Sequence, residues 1–102
     1  MRWYKDMYLG QSLQGKGLYY QYLIRFTKKI TGTYCLMPAK NRSDLLDICH
    51  SELLRMPQFY PKDQLVVGIA GSRREACMLA GEIILDVLNK TGNTDVHAFF
   101  EE

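Results

Sequence analysis

The residues best suited to bind a charged ligand are Gly71, Ser72, Arg73 and Arg74, which follow an apolar run and precede a helical pattern. Free N–H groups at a helix N-terminus and the positive end of the helix dipole favour an anion. The two arginines could add hydrogen bonds to a phosphate or carboxylate. The segment lacks the Lys-Ser/Thr ending of a P-loop and the full G-x-G-x-x-G pattern. A solvated helix start capped by Ser72 is therefore the alternative interpretation.

A second candidate surface is a basic helical stripe near the N-terminus. Spacings of four, three and four place its members on one helix face, with Lys28 beside them, and cations interleaved with an aromatic ring suit a phosphate backbone. The same pattern also suits an acidic protein surface or plain solvation. The stripe consists of Leu18, Tyr22, Arg25 and Lys29.

Residue patterns that would indicate catalysis or metal binding are weaker than those of the two candidate surfaces. Cys49 and His50 are adjacent, and an imidazolium can stabilise a thiolate. Neighbouring residues of an extended segment point to opposite faces, however, so a packed thiol is favoured. His97 is far from His50 in sequence, and no H-x-x-x-H or clustered cysteine pattern is present. We expect no metal, no cofactor and no catalytic group.

Length and composition indicate one soluble domain spanning residues 1–102, with 47% hydrophobic and 24% charged residues. The N-terminus lacks the apolar segment of a secretory signal, which predicts a cytoplasmic protein and no membrane partner. Cys35, Cys49 and Cys77 are odd in number and have no C-x-x-C spacing. This pattern predicts reduced, buried thiols rather than a disulfide framework.

The net charge of +2 conceals a division between two parts of the chain. Residues 1–42 carry eight Lys or Arg against one Asp, a net +7, whereas residues 43–102 carry five against ten acidic residues, a net −5. Such polarity suits an acidic partner of the basic part. It also suits attraction between the two parts, within one fold or between subunits.

Hydrophobic periodicity predicts the elements that must position these residues. Residues 44–63 are expected to be an irregular connection with a helical turn at about 51–55, because two prolines interrupt them. The predicted elements are a strand at 2–9, a helix after Ser12 ending at Gly32, strands at 33–37 and 65–70, a helix at 72–91 and a strand at 95–100.

This order predicts an α+β, ferredoxin-like βαββαβ sandwich with an expanded connection between strands 2 and 3. Two helices would cover one face of a four-stranded antiparallel sheet. The other face would expose aromatic side chains unless something covered it. We expect a second copy of the chain, in a homodimer, or else residues 40–64 of the same chain.

Four stretches resemble those of a group of short uncharacterised bacterial proteins, and the similarity runs along most of the chain. They are WYKDMYLG (3–10), LLDICHSELL (45–54), VVGIAGSRREA (66–76) and TGNTDV (91–96). The resemblance implies no activity and no catalytic residue.

The sequence therefore favours a small binding or regulatory module, self-associating, with a protein or a small anion as partner. One alternative is a nucleic-acid-binding module that uses the basic stripe. The other is a small enzyme that holds a phosphorylated or carboxylated substrate at Gly71–Arg74, which requires a concave pocket at that turn.

Overall fold

A computed structural model of the chain describes residues 2–26, 33–39, 45–51, 53 and 64–100, with the backbone alone at 22–26. Within these residues the order is strand, helix, three strands and two helices, with a 3-10 turn at Gln11–Leu13. The strands are β1 (Arg2–Leu9), β2 (Tyr34–Pro38), β3 (Leu46–His50) and β4 (Leu65–Ala70). The helices are α1 (Gly17–Phe26), α2 (Arg73–Thr91) and α3 (Val96–Phe100).

The sheet has the order β1-β4-β2-β3 and mixes both strand directions. β4 pairs parallel to β1 and antiparallel to β2, and β2 pairs antiparallel to β3. An apolar run with no polar alternation belongs between two neighbours with both faces covered. β4 occupies that position, as its sequence predicts.

The α+β class is confirmed, but the ferredoxin-like sandwich is wrong. Residues 96–100 form α3 rather than a last strand, because Asp95 begins a helix: its Oδ1 accepts from Ala98 N at 3.1 Å. The apolar residues Val96, Phe99 and Phe100 recur at helical spacing. A five-residue apolar run fits a helix or a strand equally well, so periodicity alone does not select between them.

The expected irregular connection contains β3, which pairs with β2 from Tyr34 opposite His50 to Pro38 opposite Leu46. A buried hydrogen bond of 2.7 Å between Thr33 Oγ1 and Ser51 Oγ closes this end of the ladder. The predicted helical turn at 51–55 falls mostly on residues outside the described ones.

Both faces of the sheet carry packed apolar side chains, so the prediction that the first and second long helices share one face and leave the other face open is also wrong. α2 and α3 lie on one face, where the sheet contributes Leu36, Val67 and Ala70. The other face is packed by Leu13 of the 3-10 turn, Tyr20 of α1, and Leu53 from the 40–64 connection. The two long helices therefore lie on opposite sides of the sheet.

β1 follows β4 closely only at its two ends. Trp3 lies opposite Val66 and Tyr8 opposite Gly68, so β1 has an irregular insertion between these pairs. A Cβ on Gly68 would lie 3.3 Å from Tyr8 O and 3.2 Å from the Leu79 side chain. The absence of a side chain thus allows the sheet and α2 to approach closely.

A polar contact joins β1 to α2 along the edge of this packing. The Tyr8 hydroxyl donates to Asp86 Oδ2, and Lys90 Nζ lies 3.1 Å from the same oxygen. The hydrogen bond from Tyr8, followed by that from Lys90, lowers the pKa of Asp86 below its ordinary value. Burial, together with the Asp86 carboxylate, raises the pKa of Tyr8.

We expect Tyr8→Phe to lower the free energy of unfolding at neutral pH by about 1 kcal/mol, since Asp86 is partly exposed and screened. A depressed folded-state pKa stabilises the protein above the unfolded pKa of about 3.9 and loses this effect as the pH falls below it. The difference in Tm between the two proteins should therefore shrink on acidification below about pH 4. Thermal denaturation across pH measures it. Tyr4→Phe, on the same strand, is the control and should show no such convergence.

Candidate functional site

The start of α2 is built as its sequence predicts. Ser72 is extended, and its Oγ accepts a hydrogen bond of 3.1 Å from Glu75 N, so Ser72 is the N-cap. The helix ends at Gly92, whose φ of 79° is left-handed and whose N–H donates to Leu88 O at 2.8 Å. These caps fix both ends of the longest helix described.

The Glu75 side chain extends from α2 to the 3-10 turn rather than completing a capping box. Its Oε1 and Oε2 accept from Ser12 Oγ at 3.0 and 2.8 Å, and Oε1 accepts from Ser12 N at 3.2 Å. A Cβ on Gly10 would lie 1.8 Å from Oε1, and one on Gly71 would lie 2.5 Å from Ser12 Oγ. Ser12 therefore binds Glu75 and does not begin α1, which starts at Gly17.

The predicted anion-binding residues Gly71, Ser72, Arg73 and Arg74 lie together at this turn, with both arginines exposed. The charged group nearest to Gly71 is the Glu75 carboxylate, whose Oε2 would lie 3.5 Å from an added Cβ. The charged groups beside the turn are therefore two exposed arginines and the Glu75 carboxylate, which hydrogen bonds from Ser12 hold in place.

The predicted basic stripe falls largely outside the described side chains. Lys28 and Lys29 are not among the described residues, and Tyr22 and Arg25 are described by their backbone in α1 only. Leu18 is 83% exposed, in agreement with its place on the outer face. Tyr19 is 60% exposed, and its neighbour Tyr20 packs on the sheet.

A cleft of about 440 Å³ lies between β1 and the junction of α2 with α3. Its polar and charged lining residues come from β1, the end of α2 and the turn after it, and aromatic rings complete its wall. The lining residues are Tyr4, Lys5, Lys90, Thr91, Asn93, Asp95, Ala98, Phe99 and Phe100.

Hydrogen bonds order the turn that forms one side of this cleft. Asn93 N donates to Thr91 Oγ1 at 3.3 Å, and Asp95 N donates to Asn93 Oδ1 at 2.9 Å. Lys90 Nζ lies 5.9 Å from the centroid of the Phe99 ring. From the sequence, TGNTDV (91–96) is predicted only to follow the end of a helix. The sequence does not indicate the cleft, because the residues opposite this turn belong to β1.

A second, more open cleft of about 640 Å³ lies between β1 and the start of α1. Lys5, Lys16 and the exposed side chains of Leu18 and Tyr19 contribute to its wall. Neither of these clefts is lined by residues 71–74, so they do not supply the concave pocket that an enzyme at that turn requires.

Two cysteines and one histidine are buried, whereas the third cysteine is exposed. Cys35 and Cys49 are buried partners across β2 and β3, and burial raises the pKa of Cys35. Cys77, predicted to be buried, is exposed on α2. His97 is buried, and its Nε2 lies 2.7 Å from Ala39 O.

Among the described residues, no group of three or more His, Cys, Asp or Glu side chains could hold a metal ion. No helix in the described ranges is long and apolar enough to cross a membrane. Comparisons with protein-family models, curated proteins and solved structures find no match. Functional inference therefore rests on the geometry of this chain.

The Glu75–Ser12 contact predicts coupling between Gly10 and Glu75. Gly10 has a φ of −60°, which alanine adopts freely, so any cost of Gly10→Ala comes from displacing the Glu75 side chain. We expect Gly10→Ala to cost about 1–2 kcal/mol in the native chain and at least about 1 kcal/mol less in a Glu75→Ala background. Chemical denaturation of the four proteins measures this cycle.

Gly81→Ala provides the matched control for that cycle. Gly81 lies in the exposed part of α2, where an added Cβ meets nothing within 4 Å. Its effect on unfolding should be the same with and without Glu75. An equal cost of Gly10→Ala in both backgrounds would contradict the placement of the Glu75 carboxylate.

Proposed function

We propose that the protein is a small binding module whose ligand is an organic anion with a flat apolar portion, held in the cleft between Lys5 and Lys90. The observation that carries this proposal is the combination of two lysines with aromatic rings in one cleft. Lysines attract a carboxylate or phosphate, and the rings of Tyr4 and Phe99 offer apolar surface to the rest of the ligand.

The size and ordering of the cleft support this assignment. Its volume of about 440 Å³ falls within the range of small-molecule sites. The Tyr4 ring packs edge-on against Phe100 with centroids 4.8 Å apart, and Phe99 packs likewise at 5.0 Å. These rings are held before a ligand arrives, which lowers the entropic cost of binding.

The aromatic wall of the cleft, rather than its charge, distinguishes it from the Gly71–Arg74 turn as a site for this ligand, since both places combine two cations with carboxylates. At the turn, an incoming anion would approach the Glu75 carboxylate, which already accepts hydrogen bonds from Ser12. In the cleft, Asp86 is beside Lys90 but receives the Tyr8 hydroxyl as well. The Asp86 carboxylate is therefore bound by two donors, and Asp95 is a second carboxylate at the cleft, so the rings of Tyr4 and Phe99 supply the preference for this site.

The other sequence hypotheses have less structural support. Nucleic-acid binding depends on Tyr22, Arg25, Lys28 and Lys29, whose side chains lie outside the described ones, so it stays a prediction. Catalysis at residues 71–74 lacks support from the clefts described above. A cytoplasmic location is supported by the buried, reduced thiol of Cys35, which suits a reducing compartment.

Titration with phenyl phosphate, benzoate and inorganic phosphate, followed by two-dimensional NMR, tests the proposed ligand site. We expect the aromatic anions to shift the amide signals of residues 90–99 and to bind more tightly than inorganic phosphate. Lys5→Gln and Lys90→Gln should each weaken binding of phenyl phosphate by about threefold to tenfold, through loss of one charge-assisted contact.

An Arg73→Gln, Arg74→Gln double variant is the matched control, since it removes two exposed cations outside the cleft. Its affinity for phenyl phosphate should equal that of the native chain. Signal shifts centred on residues 71–74, with affinity lost in the arginine variant, would assign the anion to the turn instead. Absence of any shift at low salt would overturn anion binding.

A further inference from the structure

α2 is apolar on two sides, and only one of them packs on the sheet. The packed side consists of Ala76, Leu79, Ile83 and Val87, all buried. The outer side exposes 60% of Met78, 59% of Leu85 and 40% of Leu88.

The outer side follows the spacing of a helix-pairing seam. Six positions recur at intervals of four, three, four, three and four, which is the 3.5-residue period of two helices packed together. The packed residues occupy other positions of the same heptads, so the two faces do not compete. The seam consists of Arg74, Met78, Gly81, Leu85, Leu88 and Gly92.

This seam is complementary to itself when two copies run antiparallel. Around a twofold axis near residue 83, Gly81 of one copy faces Leu85 of the other, and Met78 faces Leu88. An added Cβ on Gly81 meets nothing within 4 Å, so the helix has an open notch at this position. The exposed Leu85 of the second copy fills that notch as a knob fills a hole.

Charge selects the antiparallel direction. In this arrangement Arg74 faces Gly92 at the C-terminal end of the second α2, where the helix dipole is negative. A parallel pair would instead bring the two Arg74 side chains together and place Gly81 opposite Gly81. It would thus combine like-charge repulsion with an unfilled gap at the centre.

We propose that two copies of this chain associate through the outer faces of α2, antiparallel, with Leu85 of each copy over Gly81 of the other. The 19 residues of α2 span about 28 Å. One helix pair of this length buries less than the roughly 800 Å² per partner of a standard interface. The dimer is therefore weak and depends on protein concentration.

Sedimentation equilibrium over a range of concentrations tests this dimer. The native chain should show a reversible monomer–dimer equilibrium. Leu85→Lys should raise the dimer dissociation constant by at least about a hundredfold, because the symmetric interface contains each substitution twice. Leu18→Lys is the matched control: Leu18 is an exposed leucine on α1, and its replacement should leave the equilibrium unchanged.

Gly81→Gln separates the interface from folding. Glutamine favours a helix over glycine, so the Tm of the dilute, monomeric variant should rise by about 4 °C. The same side chain fills the notch that receives Leu85, so dimerisation should weaken by about tenfold or more. A native chain that stays monomeric, or a dimer insensitive to both Leu85→Lys and Gly81→Gln, would overturn the proposal.

Discussion

The burial of β4 on both faces is the constraint on which the other elements depend. Val66 and Ile69 pack on one side of the sheet, and Val67 and Ala70 pack on the other. A strand without a polar face must have neighbours on both edges and cover above and below. β1 and β2 provide the edges, and segments from both ends of the chain provide the cover.

The position of β4 in the sheet determines where the candidate sites lie. β4 ends at Ala70, and Gly71 and Ser72 lead directly into α2, which returns across the face containing Val67. Because β1 lies parallel beside β4, its middle residues approach the end of α2. This is how Lys5 and Lys90, from opposite ends of the sequence, come to line one cleft.

α2 links folding to the proposed functions. Its packed side completes the core, its last turn lines the cleft, and its outer side presents Met78, Leu85 and Leu88 to solvent. Its first turn is joined to the 3-10 turn by Glu75 and Ser12. The helix caps and the Glu75 contact thus hold both the cleft and the outer seam in fixed positions relative to the sheet.

Local sequence determined the α+β class, the strands at β1, β2 and β4, and α2 with its Ser72 cap, because each depends on neighbouring residues. Tertiary structure decided the parallel pairing of β1 with β4, the placement of the helices on opposite faces, and the cleft at Lys5 and Lys90. These features join residues distant in sequence, whose pairing depends on which surfaces bury best together and not on local periodicity. α3 and β3 lie between these cases, since short apolar runs fit either element until packing selects one.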